Sequence, residues 1–304
     1  MRLEVVGPDA TRVFQRAVTV TIAEREGKSE PPMVIPVFAE DVVIDGPAGK
    51  YRFMATLERG AAAAGEAVEF YVADPAGMPR VEAEVSLWGD DAGLARWLAE
   101  QQIRARPVQA GAPAAREVIL VSGAPPAGGA AAFADLARRI ARGSTAVFLS
   151  PAVFAKAGQP TGWVPLAKKG TVEGLPSWLY HKDEWAKRHP IFDGLPAGGL
   201  MDYAFYREIV PDNAWCGQDP PAEAVAGAIN AAQGYSAGLL VAVHDLGAGR
   251  FVLSTLRIRE NLGPSPAAER LLRNMLNYAA RDVARPLADL PPDFDAQLKT
   301  LGYE

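Results

Sequence analysis

The chain has 304 residues, 49% hydrophobic and 22% charged, which is the balance of a folded protein with room for two ordinary domains and excludes disorder as its main state. Its net charge of −5, spread without long single-sign runs, offers no basic surface for a phosphate backbone, so nucleic acid is not expected as a partner. The single cysteine, Cys216, excludes an internal disulfide framework, and no apolar run approaches the roughly 20 residues that span a bilayer, so no membrane partner is expected either.

At the start, MRLEVV places charges where a signal sequence needs an apolar core. The chain is therefore expected to be soluble without an export signal of its own, and the compartment of any larger parent protein stays open. Residues 2–73 then read as short β-prone runs between turns, at 18–22, 42–44, 51–57 and 68–72. In the third run, Tyr51, Phe53, Ala55 and Leu57 alternate with Arg52, Met54, Thr56 and Glu58, which predicts a half-buried antiparallel strand. Several such strands close together predict an immunoglobulin-like β-sandwich over 1–78, ended by the turn-rich DPAGMP at 74–79.

Beyond that boundary the period changes, and an α/β domain is expected over 79–284, with a tail at 285–304. Strands are predicted at 81–88, 103–108, 117–122 and 145–150, and helices at 91–102 and 130–142. Continuous apolar strands alternating with helices imply a parallel sheet covered on both faces, a three-layer α/β/α arrangement of flavodoxin-like kind. From about 151 to 221 the alternation stops and aromatic, charged and Gly-Pro residues mix in a long insertion. A helix at 222–232, a hairpin at 238–255 ending the sheet, and a helix at 266–283 follow. In the last helix Ala268, Leu271, Leu272, Met275, Leu276 and Ala279 form one apolar stripe, with Arg270, Arg273, Asn274 and Asn277 mostly off it. The proline-bearing tail is expected to pack loosely or wrap the surface.

Several stretches are familiar in combination: YHKDEWAKRHPIFDGLP at 180–196, GAGRFVLST at 247–255 and AAERLLRNML at 267–276, with GKYRF at 49–53 and EFYVAD at 69–74. Together they resemble the C-terminal region of bacterial glycoside hydrolase family two-like proteins, where a sandwich precedes a class I glutamine amidotransferase-like domain. The resemblance covers nearly the whole chain. It implies no cofactor, and it implies a module that self-associates or docks to a catalytic glycosidase domain, because a related architecture in beta-galactosidases serves trimer assembly. The two carboxylates that cleave glycosidic bonds in such enzymes sit on a separate barrel, which does not fit in these 304 residues.

Amidotransferases of this fold resemble one another in a glycine-flanked cysteine on the turn after a central strand and a histidine after a later one. The residue in the nucleophile's place here is Ser150, between Leu149 and Pro151, and Pro151 lacks the backbone N–H that an oxyanion hole needs at that position. No histidine occurs in 254–262, where the family's base would stand, so Glu260 has none to orient. Cys216 lies inside the insertion and reads as a structural thiol.

The insertion holds the remaining candidates. Asp183, Glu184 and Asp202 are the carboxylates for an acid–base pair, alongside Asp193 and Glu208. Aromatic residues there stack on sugar rings or bury the loop itself, and Trp178, Tyr180 and Trp185 are the candidate platforms for a carbohydrate. Trp163, Tyr203, Phe205, Tyr206 and Trp215 complete this aromatic set. His181, Asp183, Glu184 and His189 form the densest group of potential metal ligands, but their spacing matches no zinc pattern, and salt bridges and capping account for them more simply, so no metal is assigned. Arg257 and Arg259, after the last strand, suit a carboxylate or a surface ion pair. The glycine-rich 123–129 lacks the lysine of a phosphate loop and reads as a plain strand-to-helix turn. The expected function is a non-catalytic accessory module in carbohydrate breakdown. A glycosidase using the carboxylates of 160–210, and a small-molecule binder using the vacated amidotransferase pocket, are the alternatives.

Overall fold

The computed structural model of the chain describes residues 1–21, 36–59, 65–121, 128–175, 183–231 and 235–303. The backbone divides into two units, Met1–Gly77 and Met78–Glu304.

In the first unit β1 (Arg2–Val6), β2 (Arg12–Ala17), β3 (Gly49–Thr56) and β4 (Gly65–Val72) form one antiparallel sheet in the order β2-β1-β3-β4. Leu3, Val5 and Tyr51 are its buried apolar residues, the Tyr51 ring stacks on Phe70, and its hydroxyl donates to the Pro47 carbonyl. The second sheet of the expected sandwich is not among the described residues. Residues 18–21 and 42–44, read as strands from their β-branched runs, have no ladder there, and Val43 is 88% exposed. Each run is too short to bury a face without a facing layer.

The second unit begins with β5 (Val85–Trp88), α1 (Ala92–Glu100), β6 (Ala105–Pro107), β7 (Val118–Val121), α2 (Ala130–Ala141) and β8 (Thr145–Phe148). The insertion contributes β9 (Thr171–Gly174), β10 (Asp183–Ala186), β11 (Gly199–Leu200), α3 (Tyr203–Tyr206) and β12 (Asn213–Cys216), more regular structure than its mixed composition suggested. There follow β13 (Glu223–Asn230), β14 (Ser236–Leu246), β15 (Gly249–Ser254), α4 (Pro266–Ala279) and α5 (Phe294–Leu301). One mixed sheet runs β11-β10-β13-β14-β15-β8-β7-β5-β6, with β12 and β9 attached beside β14. The strands β15, β8, β7, β5 and β6 pair in parallel, and numbered along the chain their order is 2-1-3-4-5.

Alternate residues of the parallel strands feed two cores. Leu120, Val147 and Val252 join Leu94 and Leu98 of α1 and the stripe of α4; Ile119, Phe148 and Phe251 join Phe133 and Ile140 of α2 and Phe294 and Leu298 of α5. Helices therefore cover both faces, as continuous apolar strands require. Among the described residues no helix is long and apolar enough to cross a membrane.

Three elements depart from the sequence reading. Residues 222–232 are alanine-rich and favour helix, yet 223–230 form β13, hydrogen-bonded on both sides by β10 and β14. Their smallness has a use there: a Cβ on Gly227 would meet the Trp185 ring at 2.7 Å. Second, the β14–β15 hairpin is central in the sheet. Its two-residue turn starts at Gly247 with φ +61°, and a side chain on Gly249 would collide with the carbonyls of Ile140 and Ser144. Third, the tail packs tightly: Phe294, Leu298, Leu301 and Tyr303 are all buried. On α4 the predicted stripe is buried, but Arg273 and Asn274 are buried as well. Arg273 reaches Glu269 and Gln101, and Asn274 donates to the Ile191 and Asp193 carbonyls, so polar contacts extend the buried face.

Candidate functional site

The C-terminal ends of the parallel strands are where an open α/β sheet holds ligands. After β8, Ser150 has φ −147° and ψ 139°, an ordinary extended conformation, and its Oγ accepts from Ala152 N at 3.2 Å as the cap of a 3-10 turn over Pro151–Phe154. A nucleophile elbow is sharply bent and exposes its hydroxyl to substrate; this serine is spent on capping. Across the strand ends, Arg259 makes two 2.7 Å bonds to Asp91, which also caps α1 by accepting from Leu94 N. The loop after β15 is thereby tied to the helix after β5 by a bidentate, charge-assisted pair. Cys216 is half-buried on β12, against β9, and burial followed by the proximity of Glu173 pushes its thiol pKa up, the opposite of activation.

The insertion builds a cleft beside those strand ends. Glu184 of β10, Met201, Tyr203 and Tyr206 of α3, Arg207, Val210, Asp212 and Arg257 line a hollow of about 190 Å³. Arg257 sits there because its guanidinium donates to the carbonyls of Arg207 and Val210, while its backbone N–H donates to Ile209. Tyr206 is fully buried and donates to the Pro196 carbonyl, fixing α3; three residues earlier, Tyr203 is 78% exposed. Two of the expected site residues, Glu184 and Arg257, thus meet in one cleft.

The others do not meet there. Asp202 caps α3 by accepting from Phe205 N at 3.2 Å, and Asp183 is exposed at the start of β10. Trp185 projects to the opposite side of β10 from Glu184, into a separate groove with Lys187, Arg188 and Gly198. Trp178, Tyr180 and His181 lie outside the described residues, as does most of 123–129. Trp215 is core, and Trp163 is half-buried beneath Lys156. Among the described residues no three His, Cys, Asp or Glu side chains converge as metal ligands.

Both described histidines are remote from Ser150. His189 caps the turn over Pro190–Phe192 by accepting from Ile191 N on Nδ1, and its Nε2 donates to Glu223 at 2.7 Å. Glu223 also accepts from the Tyr278 hydroxyl at 2.6 Å and lies 3.4 Å from Arg250. Burial alone would raise the Glu223 carboxyl, but the bonds from Tyr278 and His189, with Arg250 adjacent, hold it below its ordinary pKa; burial and then Glu223 push Tyr278 up to about 12. These bonds make the cluster a brace between the insertion, β13 and α4. Glu223 and Tyr278 were not legible in the sequence, since nothing local marks their convergence.

His244 pairs in register with Phe251, which pairs with Ala146, four residues before Ser150 and so about 13 Å away along the strand direction. It is 2% exposed, and burial depresses its pKa to about 4, against the pull of Asp219 and Asp245. Its folded pKa lies below the unfolded value of 6.5, so the unfolded state binds more protons between the two. Stability is expected to be complete above about pH 6.5 and to fall by about 3 kcal/mol as the pH drops to about 4. Urea unfolding of wild type and His244→Leu across that window should show this component only in wild type.

No family model matches the sequence, and no curated protein matches it. Among solved structures the chain is similar to a protein named ThuA-like from Bacteroides uniformis, at 13% identity and a TM-score of 0.42, over 71% of this chain and 98% of the other. It is similar to a ThuA-like protein from Parabacteroides merdae at 13% identity and 0.39, over 69% and 94%. A cytoplasmic protein of Salmonella typhimurium follows at 12% and 0.38, over 75% and 95%.

Proposed function

We propose that the chain is a non-catalytic module whose cleft between β10, α3 and the loop after β15 contacts carbohydrate, as the accessory end or a free-standing relative of a glycoside hydrolase family two-like protein. The observation that carries this reading is Tyr203, an aromatic ring left 78% exposed at a cleft lined by Glu184, Arg207, Asp212 and Arg257. A sugar presents an apolar ring face and a rim of hydroxyls, and it needs an aromatic plane together with bidentate polar groups. At about 190 Å³ the hollow suits one ring or a ring edge of a longer glycan.

The 2-1-3-4-5 order of the parallel strands supports a flavodoxin-like, amidotransferase-like sheet. The extended Ser150 and the missing N–H of Pro151 support the loss of acyl transfer on it. Docking to a catalytic glycosidase domain would then bring the module's glycan to an active site it does not itself contain, and self-association would multiply the glycan-contacting surfaces.

Calorimetric titration with neutral mono- and oligosaccharides tests the reading. Saturable binding is expected, weakened about tenfold or more by Tyr203→Ala, the loss of one good stacking contact. Because the ring is exposed, that variant should melt as wild type does. Binding indifferent to Tyr203, or no binding across the panel, would remove the reading.

A further inference from the structure

At the C-terminal end of α4, the last turns of the helix and residues 188–197 of the insertion wall a cavity of about 660 Å³. It is larger than the Tyr203 cleft, shares no lining residue with it, and lies wholly within the second unit. Its size falls in the range of roughly 300–1,000 Å³ that small-ligand sites occupy.

Two of its walls have their polar atoms committed elsewhere. His189 accepts from Ile191 N and donates to Glu223, and the Tyr278 hydroxyl donates to Glu223 as well. Three charged side chains line the same space: Arg188, Arg281 and Asp193. All three are exposed, so a solute can reach them, and none has an ion pair or a side-chain hydrogen bond among the described residues. Two cations against one carboxylate leave one positive charge in excess.

Packing nevertheless positions both guanidinium groups. Arg281 lies over the Tyr278 ring, 4.8 Å from its centroid, which holds a cation at an aromatic face. Arg188 runs past Gly198, whose φ is +98°; a Cβ there would come within 2.9 Å of Arg188 Cγ and Nε.

A separate feature shows what must accompany a negative charge. Asn274 lines the cavity although it is only 6% exposed, and its amide nitrogen donates to the Ile191 carbonyl at 3.1 Å and the Asp193 carbonyl at 2.9 Å. Those two bonds fix the orientation of the amide. Its Oδ1 accepts no hydrogen bond among the described residues, yet it is not sealed from solvent. This oxygen and the Asp193 carboxylate are acceptors, and they call for hydrogen-bond donors on whatever enters.

We infer that the cavity binds a small hydroxylated monoanion of the sugar-acid class. Its carboxylate is taken by the guanidinium groups of Arg188 and Arg281, and its hydroxyls donate to Asn274 Oδ1 and Asp193. A carboxylate matches the fork of a guanidinium with parallel bonds, and one negative charge neutralises the excess. A neutral sugar would leave that charge in place, and a bare carboxylate would leave the two acceptors without donors. The assignment does not rest on the reading of the Tyr203 cleft, so either stands without the other.

Sodium glucuronate, glucose and sodium acetate separate the two parts of this recognition. In amide-resolved NMR spectra of the full chain, millimolar glucuronate should shift the signals of residues 193–195 and 277–281 saturably, and glucose and acetate should each bind about tenfold more weakly. Arg188→Gln and Arg281→Gln, at exposed positions, should melt as wild type does and each weaken glucuronate about tenfold. Tyr203→Ala should leave these shifts unchanged. Equal responses to glucuronate and glucose would overturn the anion assignment, and equal responses to glucuronate and acetate would overturn the hydroxyl contacts. Affinity unaltered in both arginine variants, or no shift with any of the three solutes, would remove the site, the last result leaving its charges to water.

Discussion

A chain ending at residue 288 is expected to lose the native fold of its second unit. Phe294, Leu298, Leu301 and Tyr303 are all nearly inaccessible in the core formed with α2 and the sheet. At about 1.5–3 kcal/mol for each large buried side chain, their removal withdraws on the order of 6–12 kcal/mol, comparable with the whole stability of an ordinary domain. Polar anchors go with them: Tyr303 donates to the Trp163 carbonyl at 2.6 Å, and Lys169 and Lys156 reach the carbonyls of Leu301 and Gly302. The graded version is Phe294→Ala, which should cost about 3–5 kcal/mol by urea unfolding. A cost below about 1 kcal/mol would mean that the helix is not part of the core.

The second large effect is expected at Glu117. Arg139 of α2 is 2% exposed, and it donates to Glu117 and Asp135, each at 2.7 Å, and to the carbonyls of Gln109 and Gly111. Glu117 in turn accepts from Ser86 at 3.0 Å and from Arg106 at 3.1 Å. Replacing Glu117 by Ala strands a buried guanidinium with part of its compensation gone, so a loss of about 3–5 kcal/mol is expected. The double change Glu117→Leu with Arg139→Leu should recover much of it, because both charges are then absent. If the single variant is as stable as wild type, the network is solvated and the burial argument fails.

The Glu117–Arg139 network was invisible in the sequence, since Glu117 reads as the polar start of an apolar strand and Arg139 as one of several arginines on a helix. Local signals carried most of the parallel half of the sheet: apolar runs at 117–122 and 145–150 and the stripe of α4 all describe residues whose neighbours are close in sequence. The antiparallel half was read less well for the opposite reason. Whether 223–230 is helix or strand depends on β10 and β14 lying on either side of it, and Ala-rich composition pointed the other way. The tail was misjudged because prolines at its start suggested irregularity, while the docking surface for α5 is made by residues far earlier in the chain. In the site, Glu184 and Arg257 were legible as charges in plausible places. Tyr203 stood only as one of eight aromatics, because burial, which separates it from Tyr206 three residues on, is a property of the folded chain.

The most direct test of the account is a saturation-transfer NMR titration of the 304-residue chain with neutral oligosaccharides, because one spectrum reports both contact and cleavage. Transfer to sugar ring protons is expected, lost in Tyr203→Ala, with no new reducing-end anomeric signals over time. New anomeric signals that disappear in Glu184→Gln would make the chain a hydrolase, and the absence of transfer to any sugar would remove carbohydrate from the account.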